Sequence, residues 1–141
     1  MIYLDTGIVV ALCVAERDSD RVEAAVASLA TPLLTSEWTR VEFCSALGIK
    51  VRTRELSDAL ARRVVVDYYQ AFEPGLTVVI PQSEDYVLAA EYLQEFKSGL
   101  RSGDALHLAI AANRGATRML TLDKALVKSA RGIGISVALP W

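Results

Sequence analysis

Residues 102–112, SGDALHLAIAA, are the stretch on which the fold turns. Ala105, Leu106, Leu108, Ala109, Ile110, Ala111 and Ala112 follow one another with hardly a polar break, and Ser102 reads as the cap of the helix they predict. A helix that is apolar all round lies inside a protein, so this chain is expected to wrap it in other layers. Two residues resist that reading: Asp104 in the first turn and His107 almost a turn later. Asp104 alone is accounted for by the positive end of the helix dipole, which stabilises a carboxylate there by about 0.3–1 kcal/mol. The rest of the chain gives it a second role.

Outward from this helix, short β-branched runs alternate with longer helical patterns. Strands are predicted at MIYLD (1–5), PLLTS (32–36), LTVVI (76–80), TRMLTLD (117–123) and ISVAL (135–139). Helices are predicted at 8–16, 21–30, 37–52, 56–72, 83–96 and 124–132, with Ser36 as a cap and EPG (73–75) as a stop. The helix over 83–96 presents Tyr86, Leu88, Ala89, Leu93 and Phe96 as its apolar residues. This alternation predicts a three-layer α/β/α sandwich around a central, mostly parallel sheet. No repeat or linker interrupts it, so residues 1–141 are expected to form a single domain.

Composition narrows the class. A hydrophobic share of 52% with 23% charged residues suits a globular protein with a filled interior, and a net charge of −2 argues against bulk adhesion to nucleic acid or anionic membrane. Cys13 and Cys44 match no metal-ligand spacing and read as small buried hydrophobes in a reducing compartment. The beginning MIYLDTG has no basic segment before an apolar run, and no stretch has the apolar length of a membrane span; a cytoplasmic location is expected.

Two strands close alike, MIYLD on Asp5 and MLTLD on Asp123. The carboxyl edge of a parallel sheet is where ligand crevices form, although an Asp between strand and helix is equally a favoured cap. Glu42 is the third acid. On the helical wheel it falls among Trp38, Ala46 and Ile49, an otherwise apolar sector. A carboxylate there needs a partner, because desolvating it costs several kcal/mol. An arginine such as Arg101 is one candidate and a metal cation the other. Glu37 competes for the role, but its first-turn position is explained by the dipole. With Asp104 as the fourth, these acids would repel one another strongly unless a hard divalent cation sat among them, and Mg²⁺ or Mn²⁺ takes such oxygen ligands.

MIYLDTG, TSEWTRVEF (35–43), LRSGDALHLA (100–109) and LTLDKAL (120–126), in that order along the whole chain, resemble the PIN domain, and more narrowly the VapC-type ribonuclease toxins of toxin–antitoxin pairs. The resemblance implies an acidic quartet at Asp5, Glu42, Asp104 and Asp123 that binds Mg²⁺ or Mn²⁺ and is catalytic. It also implies an endoribonuclease that hydrolyses RNA by metal-activated water, a cognate antitoxin that covers the cleft, and a homodimer. Gly7 departs from the pattern, since many relatives carry a serine there, which leaves Thr6 as the hydroxyl beside Asp5.

Around the quartet, Thr6 and Thr121 are candidates to hydrogen-bond the carboxylates, with local capping as the alternative. Arg101 is the candidate phosphate contact. His107 reads as a core histidine, bonded to Asp104 if to any acid, and stands outside the catalytic set. The arginines at 52, 54, 62 and 63 read mainly as a solvated face, and Tyr68, Tyr69 and Phe72 as core or dimer surface. Two rivals remain. A phosphoacceptor receiver domain would need paired acids after the first strand and an Asp closing the third, but Thr6 and Gly7 follow Asp5 and Pro81 follows LTVVI. A catalytically silent PIN-like RNA- or protein-binding module would be signalled by loss of a quartet member, and all four are present.

Overall fold

The computed structural model describes residues 1–141. Five parallel strands, β1 (Ile2–Leu4), β2 (Leu33–Ser36), β3 (Thr77–Val79), β4 (Arg118–Leu120) and β5 (Ser136–Ala138), make one sheet in the order β3-β2-β1-β4-β5. The helices are α1 (Thr6–Cys13), α2 (Ser19–Ala27), α3 (Glu37–Arg52), α4 (Asp58–Asp67), α5 (Ser83–Tyr92), α6 (Ser102–Asn113) and α7 (Lys124–Ser129). This is the predicted α/β/α sandwich.

Alternation along the strands divides the core in two. Ile2, Leu4 and Leu120 face a cluster with Ile8, Val9, Val22, Phe43, Leu47 and Tyr68, which belong to α1 to α3 and the end of the α4 segment. Tyr3, Leu34 and Met119 face the opposite cluster, filled by α6 through Ala105, Leu106, Leu108, Ala109 and Ile110 and by Ala89 and Leu126. Chain segments after β1 and β2 therefore cover one face and those after β3 and β4 the other. Right-handed crossovers require this when strand order reverses. The reversal falls between β1 and β4, and the crevice at their carboxyl ends is the place such a sheet offers a ligand.

Several elements differ from the sequence reading. The 56–72 helix keeps α-geometry only to Asp67 and continues as a π-turn over Tyr68–Phe72, after which Glu73–Gly75 form a 3₁₀ turn. The residue before α6 is Arg101, not Ser102, which lies within the helix and does not cap it. Ser36 precedes α3 but does not bond its amides, because its hydroxyl is used by Tyr3. The helix α5 stops at Tyr92, so Phe96 falls in the following turn and is 89% exposed instead of joining the core. Neither cysteine is buried: Cys13 is half-buried and Cys44 exposed, both as free thiols. No helix is long and apolar enough to cross a membrane.

Candidate active site

Asp5 and Asp123 each do two things. Asp5 lies just past β1, tied to β4 by its amide, which donates to the Leu120 carbonyl at 3.1 Å. Its Oδ1 accepts from the Ile8 amide at 2.9 Å and caps α1. Asp123 caps α7 in the same way, Oδ1 accepting from the amides of Ala125 and Leu126 at 2.7 and 3.1 Å. Each cap uses one oxygen and orients the other. The capping and the functional readings of these residues are therefore compatible.

All four acids line one cleft of about 500 Å³, together with Thr6, Gly7, Arg101 and His107. Asp104 reaches it from the first turn of α6 and Glu42 from the second turn of α3. Arg101 bridges two of them, Nε donating to Asp104 Oδ2 at 2.8 Å and one terminal nitrogen to Asp123 Oδ2 at 2.5 Å. In this conformation no three His, Cys, Asp or Glu side chains converge closely enough to hold a metal ion. The guanidinium supplies the positive charge between Asp104 and Asp123.

Glu42 is held by a histidine and a threonine and not by the arginine expected as its partner. Its Oε2 accepts from His107 Nε2 at 2.6 Å and from the Thr6 hydroxyl at 2.5 Å; Arg101 does not touch it. His107 accordingly bonds Glu42 and not Asp104. The histidine is 2% exposed, and its Nδ1 meets the Tyr3 hydroxyl at 2.7 Å, which in turn meets Ser36 Oγ at 2.8 Å. Thr121 accepts from the Asp123 amide at 2.9 Å, fixing the turn that carries this acid.

The environments push Asp5 and Glu42 in opposite directions. Burial raises the Asp5 carboxyl above the usual range, with the charge of Asp104 adding to it, against the opposing pull of the Thr121 hydroxyl and the Ile8 amide. Burial also acts on Glu42, but the hydrogen bond and charge of His107 and the Thr6 hydroxyl outweigh it and hold Glu42 below the ordinary glutamate value. Asp5 is thus a buried carboxylate short of positive charge, and Glu42 one already satisfied on one oxygen.

Two glycines matter to this geometry. A methyl group on Gly103 would stand 2.7 Å from Glu42 Oε1, so the bare backbone there lets α6 approach α3. A side chain at Gly7 would begin 3.3 Å from Asp5 Oδ1, and its absence keeps that flank of the cleft open. Sequence reasoning missed Gly103 and Tyr3. Tyr3 carried a signal, being the one hydroxyl-bearing residue within β1, and a buried phenol needs a partner.

A central parallel sheet whose strand order reverses between β1 and β4, with acids gathered at that reversal, defines a class, and the sequence places the chain in it: residues 2–132 match the PIN domain, so the chain belongs to that family. Among solved structures it is similar to FitAcB from Neisseria gonorrhoeae, with 19% identity, a TM-score of 0.77, and coverage of 100% of this chain and 99% of the other. It is also similar to VapC20 of Mycobacterium tuberculosis, a toxin that cleaves the sarcin–ricin loop (18% identity, TM-score 0.72, 96% and 99% coverage). A third likeness is to VapBC2 from Rickettsia felis, solved with a DNA fragment from its promoter (15% identity, TM-score 0.69, 100% and 99%). No curated protein matches the sequence.

Proposed function

We propose that this protein is an endoribonuclease toxin, restrained by a cognate antitoxin, whose active site is the cleft between β1 and β4. One observation carries the reading. Four acids from separate elements line a single cleft, and a cation, the Arg101 guanidinium, already lies between two of them. Family membership supports a nuclease, and the resemblance to an RNA-cleaving toxin and to toxin–antitoxin complexes supports RNA as substrate and a protein partner. Cytoplasmic action and a homodimer belong to the same reading.

The residues fit a hard divalent cation. The donor set is all carboxylate, Asp5 is buried and short of positive charge, and a guanidinium is already drawn into the gap. Asp5, Asp104 and Asp123 would hold Mg²⁺ or Mn²⁺ directly or through water, with Glu42 completing the set. When bound, such an ion polarises phosphodiester oxygens and lowers the pKa of a water. The chain's own contributions are orientation and charge. Caps on α1 and α7 fix the aspartates, Thr6 steadies Glu42, and Arg101, once released from Asp104 and Asp123, is a cationic arm at the rim for an RNA phosphate.

Cleavage of total cellular RNA by purified protein in Mn²⁺ or Mg²⁺, against a chelator control, tests the reading. Cation-dependent cutting that is lost in Asp104→Asn is expected. Full activity in that variant would overturn the assignment of Asp104, and binding of RNA without cutting in any cation would favour the silent binding module.

A further inference from the structure

We infer that Tyr3 and His107 are positioning residues for Glu42, forming a buried chain that presents an imidazole N–H to one carboxylate oxygen and turns the other toward the first turn of α6, beside Asp104. The inference rests on the nuclease reading and adds to it a role for the buried histidine.

The proton positions follow from chemistry. An ionised carboxylate only accepts hydrogen bonds, so at 2.6 Å from Glu42 Oε2 the His107 Nε2 is the donor. Nδ1 meets the Tyr3 hydroxyl 2.7 Å away, where a neutral ring accepts from the phenol and an imidazolium donates to it. Ser36 Oγ, 2.8 Å from the phenol oxygen, closes the chain. Ser36, Tyr3 and His107 are each essentially inaccessible to water. No solvent competes for these bonds, and in either charge state of the ring it is Nε2–H that donates to Glu42.

The consequence falls on Glu42. Both of its hydrogen bonds, from His107 and from Thr6, converge on Oε2. Its Oε1 is turned toward Gly103 in the first turn of α6, next to Asp104, where only a glycine leaves room. A flexible glutamate side chain from α3 is thereby pinned to α6, and β1 contributes the middle of the chain. Hydrogen bonds behind a ligating carboxylate fix its orientation, and their loss costs about 10–100-fold in metal affinity or activity.

His107 is the only histidine, so in uniformly ¹⁵N-labelled protein one imidazole reports the chain directly. Long-range ¹H–¹⁵N correlation of the cation-free protein is expected to show Nε2 protonated. A bare Nε2 overturns the positioning role whatever the protein does to RNA. The second measurement is calorimetric titration with Mn²⁺. His107→Leu is expected to weaken Mn²⁺ binding by about 10–100-fold and to lower kcat with little change in KM. His107→Gln, whose amide N–H can reach Glu42, is expected to recover most of both. Tyr3→Phe, which keeps the ring packing, is expected to fall between them. Wild-type Mn²⁺ affinity in His107→Leu, or no recovery in His107→Gln when both variants are folded by circular dichroism, overturns the inference. Failure of the nuclease reading would look different: Mn²⁺ affinity that depends on His107, with no RNA cut.

Discussion

Arg101 shows how a single residue can stand in for an ion. Its guanidinium takes the two oxygens, Asp104 Oδ2 and Asp123 Oδ2, that a divalent cation would need, yet the side chain is 70% exposed and free to leave. Arg101→Ala should therefore tighten Mn²⁺ binding several-fold in a calorimetric titration and lower the thermal stability of the cation-free protein, where Asp104 and Asp123 would face each other unneutralised. Weaker Mn²⁺ binding in that variant would show that the arginine assists the cation instead of competing with it. Asp5 makes the opposite case. Because burial raises its folded-state pKa, its contribution to stability is fully present below the unfolded-state pKa and is lost as pH rises through the folded value. Without a cation, burying Asp5 is a cost at every pH above its unfolded-state value. Asp5→Asn keeps an oxygen for the Ile8 amide and removes the charge. It should raise the cation-free unfolding temperature at pH 7 by about 2–4 °C per kcal/mol relieved and flatten the fall in stability from acid to neutral pH. Cation-dependent cleavage should be lost at the same time.

At the scale of elements, the approach of α6 to α3 is set by Gly103. In Gly103→Ala the new Cβ would meet Glu42 Oε1 at 2.7 Å, and relieving that contact means swinging the carboxylate off its bonds to His107 and Thr6. The expected result is a folded protein that loses about tenfold or more in cleavage while losing little thermal stability, because the clash falls on one side-chain end and not on the core. A large stability loss instead would place the conflict between the helix backbones. The helix α6 was legible from its apolar run, and its burial on nearly every side is what the run required. Its exact start was not, since Ser102 is a good cap by type but the backbone turns one residue earlier. The end of α5 was misread because Phe96 continues the apolar pattern in sequence while the chain turns at Leu93 in space.

At the scale of the molecule, two apolar clusters sandwich one sheet, and the acids are set at the edge where the sheet order reverses. We expect residues 1–141 to unfold in one cooperative transition. Leu108→Ala, in the middle of the buried helix, should cost about 2–5 kcal/mol. Saturating Mg²⁺ or Mn²⁺ should raise the unfolding temperature, because an ion bound only by the folded state stabilises it. Two separate transitions would deny the single domain, and no shift with either ion would count against a gathered site.

The sequence by itself determined the layered fold, because the period of its apolar residues reports what each segment must bury, and it determined the four candidate acids, because each interrupts such a pattern or ends a strand. The strand order was beyond it, and so were the partners. Which carboxylate meets Arg101 and which meets His107 depends on residues as far apart as Glu42 and His107, 65 positions along the chain. Local propensity carries no record of such distances. The expectation that His107 serves Asp104 follows their nearness in sequence, whereas the fold brings the first turns of α6 against Glu42 of α3 and turns the imidazole to that acid. Tyr3 joined that chain only because its place in β1 turns it to the α6 face of the sheet, where a buried phenol has no water to turn to.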